Sequence, residues 1–132
     1  MPEWFPPATA AFRCWGVWAF LPALTTRYID PRSTVIYEAL GGLLVAGGVL
    51  AVIGFKPAQE GRGIILAQAA GSLGVAGALA YLYAMQKGPV ALIATVTALY
   101  PMLAVILAAV LLHQPVSLRQ ALALSRDWPR SF

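Results

Sequence analysis

The sequence predicts an all-α membrane protein, a bundle of four transmembrane helices followed by a short fifth-helix stub, and three observations predict it. Of 132 residues, 60% are hydrophobic and only 11% are charged, with a mean hydropathy of +0.75. Soluble domains carry roughly a quarter charged residues, and a chain this short has too little interior to hide such an apolar majority from water. Four apolar stretches each reach the roughly 20 residues that cross about 30 Å of hydrocarbon. The connections are brief and rich in turn residues, which makes sequence neighbours antiparallel neighbours in space. Strands fit poorly, because an open sheet cannot satisfy its backbone in lipid and these runs lack the alternation of a barrel.

The first stretch covers residues 5–26, with Arg13 as its only charge. It lacks a basic n-region and a small-x-small cleavage pattern, so it is expected to stay as a helix. The second covers 34–55, with Glu38 near its start, and the third and fourth, 64–85 and 90–112, hold no charge. After His113-Gln114-Pro115 a helix begins at 117–124. Eight residues reach only about 12 Å and cannot cross. One transmembrane domain over 1–124 and a short polar tail over 125–132 follow.

The net charge is +4. Its bases stand singly between apolar runs, as loop charges do beside headgroups, which argues against a nucleic-acid partner. Lys56, Arg62, Arg119, Arg126 and Arg130 share the side of the termini, against Arg27, Arg32 and Lys87 opposite. That bias predicts both termini in the cytoplasm. Cys14 is the single cysteine, so no intrachain disulfide forms. His113 has no second ligand and makes no metal site. No phosphate loop, HExxH, GxSxG or carboxylate pair is present. Neither an enzyme nor a cofactor is expected.

Small residues form helical stripes. Glu38, Gly41, Gly42, Val45 and Gly48 share one face of the second helix, and Gly71, Gly74 and Gly77 recur along the third. Ala94, Thr97, Ala98, Pro101, Ala104 and Ala108 make a strip on the fourth. Such stripes mark close helix packing in lipid, and a translocation pathway is the second reading. Pro101 is expected to kink its helix, with Thr97 and Tyr100 beside the break. Glu38 reads either as an ionisable coupling residue or as a carboxylate one turn inside the membrane that caps or snorkels. Arg13 reads as lying roughly 12 Å deep or, if Pro6 and Pro7 delay the helix, near its start. Trp4, Trp18, Tyr28, Tyr81 and Tyr83 fit interfacial belts, and Trp15 lies too deep for one.

Cys14-Trp15-Gly16-Val17-Trp18-Ala19-Phe20, Gly88-Pro89-Val90-Ala91 with Thr97-Ala98-Leu99-Tyr100-Pro101, and the block from Leu112 to Gln120 resemble EamA-type transporters of the drug/metabolite transporter superfamily. The resemblance covers about residues 4–120 and is most specific in its last block. It implies one five-helix half of a ten-helix inverted-repeat transporter in the bacterial inner membrane. Such a half moves small metabolites or drugs, often outward and with protons, as a homodimer or beside a sister half. Two departures stand out: Gln114 replaces the usual acidic residue before Pro115, and the fifth helix turns polar after Gln120. A truncated or frame-shifted gene would account for the second. On this reading Glu38 is the coupling residue and Trp15, Tyr37 and Tyr100 are aromatic walls. A non-transporting assembly partner or transporter remnant is the alternative. With helices starting at Phe5 and Thr34, Arg13 and Glu38 differ in depth by roughly 13 Å within one chain but by about 6 Å between inverted copies. Pairing between copies is therefore expected only in an antiparallel dimer.

Overall fold

A computed structural model describes residues 3–112 of the chain, and among them every regular element is helical. The helices are α1 (Phe5–Thr25), α2 (Pro31–Val52), α3 (Gly61–Lys87), α4 (Val90–Thr97) and α5 (Tyr100–Leu111). The all-α membrane class stands. The expected stub at 117–124, the tail at 125–132 and His113 lie outside the described residues.

Three stretches are long and apolar enough to cross a membrane: α2, α3, and α4 with α5 taken together, at mean hydropathies of 2.0, 1.6 and 2.3. α1 has the length, 21 residues, but Arg13 and three prolines dilute its apolar run. Its start corrects the reading of Arg13 as a residue near a delayed helix end. Pro6 and Pro7 sit in the first turn, where no intrahelical bond needs their missing N–H. Arg13 therefore lies eight residues, about 12 Å, into the helix.

α2 begins and ends three residues earlier than expected, and both shifts have local causes. Asp30 is an N-cap whose carboxylate accepts from the Arg32 and Ser33 amides, with Pro31 preset for the first turn. At the other end Gly54 takes φ +65° and Phe55 φ +58°. The Phe55 amide donates to the Leu50 carbonyl at 2.9 Å and the Gly54 amide to the Ala51 carbonyl at 3.0 Å. This is a Schellman stop, which needs a left-handed residue just past the helix. Glu38 consequently stands seven residues, about 10 Å, inside α2, two turns deep and not one.

α3 is capped by Glu60, whose carboxylate accepts from the Gly63 amide at 2.6 Å. The fourth stretch is interrupted, as Pro101 leads one to expect. The Leu99 amide turns to the Val96 carbonyl at 3.2 Å and the Met102 amide to the Leu99 carbonyl at 3.0 Å. These tight i−3 bonds divide α4 from α5 where a proline cannot continue the i−4 ladder.

The chain divides into two compact units, Gly16–Ile93 and a second made of Met1–Trp15 with Ala94–Phe132. Within Gly16–Ile93 the core is concentrated at one end of the helices. Pro22 and Ala23 of α1, Pro31 and Thr34 of α2, and Ala78, Tyr81, Leu82 and Met85 of α3 are its buried residues. Leu82 is wholly enclosed. Most of the remaining surface is apolar and exposed, as suits helices whose outer solvent is hydrocarbon.

Candidate functional site

The packed end of this unit is built around Tyr81. Its hydroxyl donates to the Ala19 carbonyl at 2.7 Å, and its ring stacks on Trp18 with centroids 5.8 Å apart and planes 20° from parallel. Pro22 supplies no N–H to the Trp18 carbonyl one turn back, one residue before the Ala19 carbonyl that Tyr81 reaches. The Thr26 hydroxyl donates to the Pro22 carbonyl at 2.7 Å and closes the last turn. Tyr81 is thus a buried joint between α1 and α3, which corrects its reading as an interfacial-belt residue. Reasoning from sequence missed it. No sequence signal marked it, because Pro22 frees the carbonyl of Trp18 and not that of Ala19, which Tyr81 reaches. Tyr28 does project, at 85% exposure.

A second joint sets the register of α2 against α3. The Arg32 guanidinium donates through Nε to the Tyr83 hydroxyl at 3.0 Å. The start of α2 therefore lies beside the end of α3, and the pair is antiparallel. Stepping six residues in from each partner puts Glu38 level with Gly77, and nine puts Gly41 level with Gly74. The two glycine stripes thus run at matching depths. A Cβ added at Gly41, Gly42, Gly48, Gly71, Gly74 or Gly77 would meet no atom within 4 Å, so no helix of this unit is packed closely on either stripe.

Glu38 is half-buried on α2, beside Tyr37, which is 65% exposed. Its carboxylate has no hydrogen bond or ion pair among the described residues. Trp15 and Tyr100, 60% exposed each, belong to the other unit, as do Arg13 and Pro101. α3 carries a shallow open groove lined by Gln68, Gly71, Ser72, Val75, Ala76 and Leu79. Its two polar side chains were not singled out from the sequence, although their i, i+4 spacing was visible there. Outside the spans, hydrogen bonds from the Ser33 hydroxyl and amide hold Asp30 below the usual carboxylate range. Among the described residues no group of histidine, cysteine and carboxylate side chains is arranged to hold a metal.

A carboxylate inside a spanning segment with no partner among the described residues, small-residue faces at the same depth and a broken helix are features of transport proteins, and the family comparison decides the matter. The profile of the EamA-like transporter family matches residues 8–125. This chain belongs to the EamA-like transporter family. It is thereby a member of the drug/metabolite transporter superfamily and a multi-pass membrane protein. The EamA match takes in most of α1 and the whole of α2 to α5. No curated protein and no solved structure matches the chain significantly.

Proposed function

We propose that this EamA-like chain is a half-size transporter of the bacterial inner membrane that moves small metabolites or drugs outward, as a homodimer or paired with a sister half. The observation that carries the proposal is Glu38, a carboxylate about 10 Å inside α2 with no partner among the described residues, in a chain of a transporter family. Leaving a carboxylate in a spanning segment costs a few kcal/mol, and such residues mark ion and substrate pathways. In the proposed cycle Glu38 takes up and releases a proton, and Trp15, Tyr37 and Tyr100 form aromatic walls for the substrate. Two inverted halves would enclose a midplane site and expose it to each side in turn. The unoccupied faces of Gly41, Gly42, Gly48, Gly71, Gly74 and Gly77 favour packing against a second half over packing within one, with Pro101 as the hinge of the fourth span.

Proteoliposomes provide the test. Uptake of labelled amines, amino acids and sugars is measured with and without an imposed proton gradient. Gradient-driven transport of at least one class is expected, with loss of the gradient dependence in Glu38→Gln. Absence of transport across the panel, for well-folded protein alone and co-reconstituted with a sister half, would favour a non-transporting assembly partner or remnant.

A further inference from the structure

We propose that Arg32, Tyr83 and Lys87 form a binding site for the phosphate of an acidic phospholipid headgroup. One contact and one helical spacing bring the donors to the same end of the α2–α3 pair. Arg32 uses only Nε on Tyr83, so both Nη groups keep their N–H donors. The Tyr83 hydroxyl accepts that bond and retains its own hydrogen for an acceptor. Lys87 lies four residues further along α3, on the same face and one turn nearer the helix end.

The local carboxylate does not neutralise this set. Asp30 accepts from the Arg32 amide at 3.1 Å, the Ser33 amide at 3.2 Å and the Ser33 hydroxyl, so its oxygens are committed to capping α2. Arg32 and Lys87 are both exposed, and neither is paired with a carboxylate among the described residues. A guanidinium fork, an ammonium and a phenol together match a phosphate monoanion or diester.

The position selects a lipid over a free anion. The donors sit at the end of two spanning helices, where headgroups lie, and the surface running inward from them is apolar. Ile36, one turn below Arg32 on α2, is 59% exposed, and Val75 on α3 is 46% exposed. A headgroup held at the rim therefore leaves its acyl chains against matching walls. Lys and Arg side chains beside a membrane surface attract anionic headgroups.

The test uses the full-length protein in nanodiscs of equal phosphatidylglycerol and phosphatidylcholine, with bound lipid read by native mass spectrometry. Preferential retention of phosphatidylglycerol is expected. It should weaken about fivefold for each cation removed in Arg32→Gln and Lys87→Gln. Tyr83→Phe, which keeps both cations but removes the hydroxyl that holds the Arg32 guanidinium, should weaken it by a smaller factor. Lys56→Gln with Arg62→Gln, at the other end of the helices, should leave it unchanged. Equal loss from that distant pair, no phosphatidylglycerol preference in the parent, or an unaltered preference in Tyr83→Phe would each overturn the site. Displacement of the lipid by millimolar inorganic phosphate would show a free-anion site instead and overturn the lipid assignment.

Discussion

Tyr81 joins α1 to α3 by two separable interactions, and their sizes can be worked out in advance. In lipid the helices are already removed from water, so burying a side chain between them gains little hydrophobic transfer energy. What remains is contact and hydrogen bonding. Tyr81→Phe deletes the 2.7 Å bond to the Ala19 carbonyl but keeps the ring. Interhelical hydrogen bonds in membranes are worth about 0.6 kcal/mol on average and at most about 1.7, so a loss of about 1 kcal/mol is expected. Tyr81→Ala also removes the Trp18 stack, worth about 0.5–1.5 kcal/mol, and leaves a cavity at a residue only 7% exposed. Its loss should reach about 3 kcal/mol. The assay is reversible unfolding in mixed micelles, with a double-mutant cycle against Trp18→Leu. Tyr81→Ala and Trp18→Leu should couple by about 1 kcal/mol, whereas Tyr81→Phe and Trp18→Leu should add, because the hydroxyl bonds backbone and not the indole. Zero coupling for the alanine pair, or a loss above about 2 kcal/mol for Tyr81→Phe, would refute this division of the joint.

Three further outcomes are expected. Gly54→Ala should destabilise the protein by about 1–2 kcal/mol in the same assay, because φ is +65° while the added Cβ would meet nothing within 4 Å; a neutral result would mean that the stop of α2 rearranges freely. Asp30 has a folded-state pKa below its ordinary 3.8, so its contribution is present above that value and lost as pH falls through the lower folded one. Thermal unfolding of Asp30→Asn across the acid range should therefore depend less on pH than that of the parent, and parallel curves would remove Asp30 as the cause. With α2 starting at Pro31, Arg13 and the Glu38 of an inverted copy lie about 12 Å and about 10 Å from the same face, closer than the sequence alone implied. Cysteines at these two positions, in a Cys14-free background, should cross-link between chains, and exclusively intrachain product would rule out the inverted pairing.

Much of this protein was legible in its residues because lipid imposes a one-dimensional rule. Every backbone group in a span must be satisfied within its own helix, so apolar length alone located α2, α3 and the α4–α5 stretch to within a few residues. The interruption at Pro101 was legible for the same local reason, since an imino acid lacks the donor. The family was legible in side-chain order from Cys14 to Gln120. Glu38 and Arg13 stood out because a charge in an apolar run is costly wherever the helix sits.

The rest depended on local capping geometry and on contacts between helices, neither of which apolar periodicity encodes. The true ends of α2 rested on the Asp30 cap and the left-handed pair Gly54 and Phe55, shifting Glu38 one turn deeper than the apolar run suggested. The offset of α2 against α3 came from a single bond between Arg32 and Tyr83, residues 51 apart in the chain. Tyr81 and Tyr83 look alike in sequence, two aromatics near a helix end. Two residues apart on α3, they face about 200° apart, and that rotation sends one hydroxyl to a backbone carbonyl of α1 and the other to a guanidinium on α2. Sequence by itself determined that these helices form and lie in lipid, because that follows from each residue's own transfer energy. Only tertiary structure decided which polar groups meet, because apolar side chains are as content against lipid as against one another, and specific bonds must set the register.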